Sequence, residues 1–255
     1  MSKMSFSFDV YKEMIRNIQA TKKYCDYADV VANDNSDSPF IVLRHDVEYS
    51  PERALKMQEV GNALDFKSSY FFQISNNTYN AFSKKNMDII KEIHANGNPI
   101  GLHYHMCGKT DLNEMAIDIR RQTNIMSEML GIEIDRFSVH RPSKEVLKNG
   151  ITVDGLIDTY SSTFFSFAEN ATADTVLDVK YTSDSMFRWD YGFPDREMLK
   201  AHQKIQILLH PDYWTQIGHD NLNNFRTLLE ENRADRLNDY DSECKQFREV
   251  RDALI

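Results

Sequence analysis

The sequence predicts an α/β fold in which parallel strands alternate with helices, arranged as a barrel or as an open sheet. Two observations lead to this prediction. From residue 40 onward, short apolar segments alternate with longer segments in which apolar residues recur at helical spacing. Several helical segments also begin at an N-cap residue or end at glycine, which separates them from the strands. Repeated βα units of this kind favour parallel strands joined by helical crossovers.

The predicted elements follow one another along the chain. An amphipathic helix is expected over residues 8–25, and a turn-rich segment at 33–39 leads into the first strand at 40–47. Ser50 and Pro51 are typical of a helix start, and that helix runs to about residue 64. The next well-patterned elements are strands at 68–74, 100–104 and 136–139 and helices at 83–95 and 111–130.

Beyond residue 150 the pattern is less regular. Short strands are expected at 158–161, 178–181, 186–189 and 204–209. The tail at 221–255 is mostly helical and highly charged. Because no internal repeat or linker interrupts the chain, we expect one domain over 1–255, with a core at 40–214 and helical additions at 1–32 and 220–255.

The composition excludes several classes of partner. A formal net charge of -9, a sequence pI near 5.4 and the lack of a basic stripe argue against a nucleic acid or an anionic membrane surface. Hydrophobic residues at 41% and charged residues at 27% are ordinary for a globular protein. No segment approaches the length of apolar sequence that spans a bilayer, so no membrane insertion is expected.

The cysteines and the N-terminus indicate where the protein works. Cys25, Cys107 and Cys244 are odd in number and far apart, so they form neither a disulfide framework nor a paired metal site. The N-terminus carries no secretory signal pattern. A reducing compartment, the cytoplasm, is therefore expected.

Ionisable side chains cluster where the predicted strands end. The segment RHDVEYSP at 44–51 follows directly on the apolar run FIVL at 40–43. In parallel α/β folds, ligands bind beyond the carboxyl ends of the strands, so polar residues there carry functional weight. The residues at these ends are Asp46, Glu48, His103, His105, His140, Arg141 and His210.

The spacing at two of these strand ends suits a metal ion. Asp46 with Glu48, and His103 with His105, are two residues apart and share a face of an extended chain. A carboxylate and two imidazoles are a usual ligand set for Zn²⁺ or another divalent transition metal, with one position open for water. The two carboxylates could instead mark a solvated strand exit or an ion pair with Arg44.

Five segments, in this order, resemble the motifs of the polysaccharide deacetylase superfamily, the NodB-homology or carbohydrate esterase family 4 group. They look most like its variants found with bacterial surface-polysaccharide biosynthesis. The resemblance implies a distorted (β/α)7-type barrel and metal-dependent hydrolysis of an N-acetyl, or less often O-acetyl, group on a sugar. The segments are LRHDVEYSP at 43–51, NGNPIGLHYH at 96–105, SVHRPS at 138–143, YTSDSMFRW at 181–189 and IQILLHPDYW at 205–214.

The resemblance also implies a metal site. In that family one Asp and two His hold a divalent metal, commonly zinc, and a second Asp acts as base. Carried over, Asp46 is the base and Glu48 is the metal ligand where the family has Asp, although the register could equally make Asp46 the ligand. His103 is the next ligand. His105 is expected as the third, with Cys107 as the alternative because the family's His-x-x-x-His spacing falls there.

The remaining roles follow from the later motifs. His210 is expected to act as the general acid, and Arg141 to orient the base Asp46 and keep it ionised. His140 is expected to support that network or to bind substrate. Aromatic faces for a sugar ring are expected from Tyr213, Trp214 and Trp189, although core packing explains these three at least as well.

The sequence thus predicts a metal-dependent deacetylase, with zinc as the expected cofactor, acting on an acetylated sugar or polysaccharide precursor. One alternative is a related metallohydrolase of another amide or ester, because fold and motif do not fix the substrate. Another is a catalytically inactive sugar-binding protein. The acidic helical tail could form a homo-oligomer, or it could be a solvated surface.

Overall fold

A sheet of parallel strands lies at the centre of the computed structural model, which describes residues 5–32, 38–170, 172 and 175–254. Within these residues the sheet has seven strands, in the order β5-β4-β3-β2-β1-β7-β6. The strands are β1 (Phe40–Val47), β2 (Ser69–Phe72), β3 (Ile100–His105), β4 (Arg136–His140), β5 (Ile157–Asp158), β6 (Val179–Ser183) and β7 (Lys204–Leu209). Most of the turn predicted at 33–39 lies outside the described residues.

The sheet curls strongly. β1 and β5 are four places apart in the sheet, which would separate them by roughly 19 Å if it were flat. Yet Arg44 of β1 donates to the Thr159 hydroxyl and, at 2.8 Å, to the Tyr160 hydroxyl, and both acceptors directly follow β5. The predicted distorted (β/α)7-type barrel is thus confirmed. It is an open one, because β5 and β6 do not pair with each other in the described part of the chain.

Helices cover the outer face of the sheet. Burial of all eight residues of β1 agrees with its apolar start, since a parallel strand at the centre of a sheet is covered on both faces. Side chains of Ser50, Ser83 and Asp111 cap three of the helices by accepting backbone N–H groups. The helices are α1 (Phe8–Thr21), α2 (Tyr27–Ala32), α3 (Pro51–Asn62), α4 (Lys84–Ala95), α5 (Leu112–Leu130), α6 (Lys144–Asn149), α7 (Arg196–Ala201), α8 (Asn221–Glu243) and α9 (Lys245–Leu254).

His45 shows how the alternation of β1 sorts its charged residues. Arg44 lies inside the curled sheet, whereas His45 points outward to α1, where its Nε2 is 3.1 Å from the Tyr11 hydroxyl. Its ring stacks on Tyr70 at 4.3 Å. Burial lowers the pKa of His45 to about 3. His45 is therefore a neutral packing residue on the side of the sheet away from the cleft.

Two parts of the chain differ from the sequence-based expectation. The helix predicted over 8–25 ends at Thr21, because Lys22 adopts a left-handed conformation with φ of 58°, and a second helix, α2, follows. The strand predicted at 186–189 is wrong: Met186 and Phe187 have φ of 56° and 57° and form a 3₁₀ turn. No helix in the described ranges combines the length and apolarity needed to cross a bilayer.

Gly101 in β3 is closely packed against side chains of the neighbouring strands β2 and β4. A Cβ at this position would lie 2.5 Å from Cδ1 of Phe71 and 2.8 Å from Cγ of Arg136. We expect Gly101→Ala to lower the free energy of unfolding by about 1–3 kcal/mol, since overpacking a buried site strains its neighbours. Urea denaturation followed by circular dichroism measures this change.

A matched control is Gly61→Ala in α3. A Cβ there would have Phe66 O as its nearest neighbour at 3.4 Å, which is close to ordinary contact. Alanine also favours a helix over glycine. We therefore expect Gly61→Ala to leave stability unchanged or raise it, and equal destabilisation by both variants would contradict the packing described for β3.

Candidate metal centre

Three potential metal ligands meet at the carboxyl edge of the sheet. Glu48 follows directly on β1, His103 lies in β3, and His140 is the last residue of β4. Oε1 of Glu48 is 2.7 Å from Nδ1 of His140 and 3.4 Å from Nε2 of His103. The two imidazole nitrogens are 3.3 Å apart. One ligand atom from each residue thus falls within 4.8 Å of the others.

A hydrogen-bonded chain behind His103 sets its tautomer. The Ser138 hydroxyl donates to Oδ1 of Asp46 at 3.1 Å, and Nδ1 of His103 lies 2.8 Å from the same hydroxyl oxygen. Because the serine proton points to Asp46, the hydroxyl accepts from His103, and Nδ1 carries the proton. Nε2 is then left with a free lone pair facing Glu48. This is the arrangement by which outer partners orient a metal-binding histidine.

The three ligand atoms need a positive charge between them. A carboxylate oxygen and two imidazole nitrogens bring their lone pairs to one point, which is unfavourable unless protons or a cation lie there. Burial alone would raise the pKa of Glu48, but the neighbouring imidazoles of His103, His140 and His210 outweigh it and hold that pKa far below its ordinary value. A carboxylate with two imidazoles is also the donor set that divalent zinc prefers. The residues present therefore fit a divalent metal.

His105, predicted as a ligand, is not in this group, and His140 stands in its place. His105 and His140 face each other across the β3–β4 pair, and their rings stack at 5.2 Å. Nδ1 of His105 accepts the backbone N–H of Cys107 at 3.0 Å, so the lone pair of this nitrogen is already engaged. Cys107, the alternative ligand, is exposed, with its Sγ 3.3 Å from the same nitrogen.

The arginine beside Asp46 is also not the predicted one. Nη2 of Arg44 lies 3.5 Å from Oδ2 of Asp46, and both side chains are buried. This is the ion pair that the sequence left open as an alternative. Arg141 lies instead at the rim of the cleft with its side chain exposed and its backbone at φ of 49°. A buried Arg–Asp pair holds its members in fixed positions, so Arg44 orients the Asp46 carboxylate.

His210 lies across from the ligand group and has its own carboxylate. Nδ1 of His210 is 2.6 Å from Oδ1 of Asp184, and Nε2 is 3.8 Å from Oε1 of Glu48. Burial alone would lower the pKa of His210, but the adjacent Asp184 outweighs it and raises the pKa to about 9. The ring is therefore held as an imidazolium with its Nε2–H group towards Glu48.

These groups open onto one cleft of about 600 Å³. Asp46, Glu48, His103 and His210 lie in its wall. Aromatic side chains form much of the remaining wall, contributed by Tyr49, Tyr160, Phe165, Phe167, Tyr181, Tyr191 and Tyr213.

Of the three predicted aromatic positions, the structure brings only Tyr213 to this cleft. Trp214 is buried, and its indole N–H donates to Oδ2 of Asp184 at 2.8 Å, so it positions a carboxylate and offers no face to a sugar. Trp189 lines a separate cavity of about 380 Å³ together with Phe6 and Phe187. Both tryptophans are explained by packing, the alternative that the sequence left open.

Asp184 and Ser138 were not among the site residues predicted from the sequence. Asp184 directly follows β6, as Glu48 directly follows β1. The strand predicted at 178–181 ended two residues before Ser183, so Asp184 was not recognised as a residue at a strand end. Ser138 sits opposite His103 in the β3–β4 register. A serine inside a strand gives no signal of its own, since only the neighbouring strand shows what it contacts.

No protein-family model matches the sequence, and no curated protein is similar to it. The structure is similar to the catalytic domain of a peptidoglycan N-acetylglucosamine deacetylase from Eubacterium rectale, with a TM-score of 0.44, 13% identity and coverage of 78% of this chain and 86% of that chain. It is also similar to the chitin deacetylase of Colletotrichum lindemuthianum, with a TM-score of 0.42, 13% identity and coverage of 76% and 83%.

A third similar structure is a mutant with restored enzymatic activity of a CE4-family pseudoenzyme from Bacillus anthracis. Its TM-score is 0.42 at 13% identity, over 78% of this chain. This chain spans 64% of the length of that protein. These are likenesses of fold at low identity, so the function must be argued from the site residues.

Zinc binding tests whether His140 or His105 is the third ligand. We expect about one zinc ion per chain in wild-type protein and its loss in His103→Ala and His140→Ala, because each removes one of three converging ligand atoms. Elemental analysis after dialysis against a weak chelator measures the zinc content.

His105→Ala is the matched control for this experiment, because it removes a neighbouring imidazole that lies outside the ligand group. We expect it to keep its zinc. Zinc lost from His105→Ala but retained by His140→Ala would restore the assignment made from the sequence.

Proposed function

We propose that this protein is a metal-dependent deacetylase that hydrolyses the N-acetyl or O-acetyl group of a sugar or polysaccharide precursor. The observation that carries the proposal is the convergence of Glu48, His103 and His140 at the edge of one cleft, whose wall also holds a buried carboxylate, Asp46, and an imidazolium, His210. Amide hydrolysis needs a site for activated water, a proton acceptor and a proton donor. Each requirement has a matching group in the cleft.

Glu48, His103 and His140 would hold the metal, and zinc suits this donor set best. The chemistry that a divalent metal supplies in such a site is a lowered pKa for water and a polarised carbonyl group. The chain's own contribution is to fix the three ligand atoms. The Asp46–Ser138–His103 chain keeps Nε2 of His103 free of a proton and directed at Glu48.

Asp46 is the proposed proton acceptor. Its carboxylate lines the cleft, and its Oδ2 lies 3.5 Å from Nδ1 of His103. Arg44 fixes the direction of this carboxylate and balances its charge. As water attacks the acetyl carbonyl carbon, Asp46 takes the proton that the water loses.

His210 is the proposed proton donor. Asp184 holds Nδ1, which directs the Nε2–H group into the cleft towards Glu48. When the bond between the acetyl carbon and the sugar nitrogen breaks, His210 donates a proton to that nitrogen, and the products are acetate and the amine. For an O-acetyl substrate the proton goes to the sugar oxygen.

The aromatic residues of the cleft wall suit a sugar. Tyr213 stacks on His210 at 5.1 Å, so one aromatic ring lies next to the proposed proton donor. Aromatic rings can pack against the apolar face of a sugar ring, and tyrosine hydroxyls can bond its polar groups.

The Cys25, Cys107 and Cys244 thiols are free, which suits a reducing compartment. A role in cytoplasmic polysaccharide biosynthesis is therefore part of the proposal.

Removal of the proton donor tests the proposed function. We expect His210→Ala to lower kcat for acetate release by about 100-fold or more, since general acid catalysis contributes this much, while zinc content stays at the wild-type level. The measurement is acetate released from a panel of N-acetyl and O-acetyl sugars, including chitin oligosaccharides, by zinc-loaded protein.

His94→Ala is the control, because His94 is an exposed histidine on the surface of α4. We expect it to keep wild-type turnover. Equal turnover by His210→Ala and wild type would refute the role of His210. Zinc-loaded protein that binds these sugars but releases no acetate would favour the sugar-binding alternative.

A further inference from the structure

Glu48 differs from the other two proposed ligands in how its backbone is held. His103 and His140 lie inside β3 and β4, where ladder hydrogen bonds fix the main chain. The pairing of β1 with β2 ends at Val47, so Glu48 is the first residue beyond the ladder. Its position therefore depends on contacts that the sheet does not supply.

Asp212 supplies the main contacts. This residue is fully buried, two places after His210, and its carboxylate accepts three consecutive backbone N–H groups. Oδ2 accepts from Glu48 at 3.0 Å and from Tyr49 at 3.1 Å, and Oδ1 accepts from Ser50 at 2.7 Å. Each carboxyl oxygen has two lone pairs, so the group can accept all three bonds at once. The turn that carries Glu48 is thus wrapped around one carboxylate.

Asp212 is itself held from behind by α3 and α8. Its backbone carbonyl accepts from Nη1 of Arg53 at 2.6 Å and from Nδ2 of Asn224 at 3.0 Å. Nη1 of Arg53 also donates to Oδ1 of Asn224 at 2.7 Å, and its Nε donates to Glu231 at 2.8 Å. Arg53 and Asn224 are both buried. Asn224 of α8 therefore bonds Asp212 directly, and Glu231 of α8 bonds it through Arg53.

We propose that Asp212 is a positioning residue for the metal centre and that Asn224 of α8, with Arg53, holds Asp212 in place. The inference rests on the proposed function only in taking Glu48 as a metal ligand. It makes α8 part of the site, in addition to the solvated surface that its charge suggests. Loss of Asp212 should weaken zinc binding without abolishing it, because the Tyr79 hydroxyl also holds this turn by donating to the Val47 carbonyl at 2.9 Å.

Zinc affinity tests the proposal without any need for activity. Asp212→Asn keeps the shape of the side chain but replaces one of the two accepting oxygens with a donor. We expect its zinc dissociation constant to rise by about 10–100-fold, the usual effect of removing a partner that orients a ligand. Asn224→Ala should shift it in the same direction by a smaller factor. Competition with a chromophoric chelator gives the dissociation constants.

Matched controls separate positioning from general damage. Asn223→Ala changes the neighbouring residue of α8, whose side chain accepts only a surface contact from Arg226, and should keep wild-type affinity. Circular dichroism establishes that each variant is folded. If Asp212→Asn does not fold, Asn224→Ala and Arg53→Lys carry the test, with exposed Lys56→Met in α3 as the control for Arg53.

A double-mutant cycle shows whether Asp212 acts through Glu48. In a Glu48→Ala background, titrated at zinc concentrations high enough to fill the weakened two-histidine site, the turn no longer carries a ligand, so we expect Asp212→Asn to cause no further loss of zinc affinity. An equal loss in both backgrounds would overturn the proposal, as would folded Asp212→Asn and Asn224→Ala proteins with wild-type affinity. Wild-type protein that binds no zinc would overturn both this inference and the proposed function, whereas zinc binding that is insensitive to these variants would overturn the inference alone.

Discussion

A positive charge enclosed within the curled sheet is the constraint on which the rest of the structure depends. Arg44 is completely buried, and its guanidinium contacts Asp46 on its own strand and Thr159 and Tyr160 beyond β5. A charged group in a protein interior is stable only when it is paired and hydrogen-bonded. The sheet must therefore curl until the segment after β5 reaches β1. The same curvature brings the carboxyl ends of β1, β3, β4 and β7 to a single cleft.

Much of the fold and part of the site follow from the sequence. Alternating apolar periodicities predicted the strands and helices as far as β4, because buried parallel strands and amphipathic helices leave different patterns. The strand-end rule then located Glu48 and His103, because parallel strands all end at one edge of the sheet. It could not choose between His105 and His140. These residues face each other on adjacent strands, and only the positions of both strands relative to Glu48 show which nitrogen reaches the ligand group.

Other features depend on contacts between residues far apart in the chain, and these leave no local pattern. The pairing of Asp46 with Arg44, when Arg141 was expected, is set by the curl of the sheet. The left-handed conformations of Met186 and Phe187 replaced a predicted strand, although neither side chain favours such a backbone. Aromatic packing holds that turn, with Phe187 stacked on Tyr213 at 4.0 Å, and no short sequence window contains both residues.

The cleft wall is built from two kinds of structure, regular strands and irregular chain, which tolerate changes of sequence to different degrees. The proposed reacting groups stand on the regular strands or directly after them, where a shift of one residue would disrupt the whole sheet. Much of the opposite wall of the cleft, including Phe165, Phe167 and Tyr191, comes from irregular chain on either side of β6. Irregular surface segments tolerate insertion and exchange far better than strands do. Substitutions in these irregular segments alone could therefore change which substrate binds, while the residues that carry out the reaction stay the same.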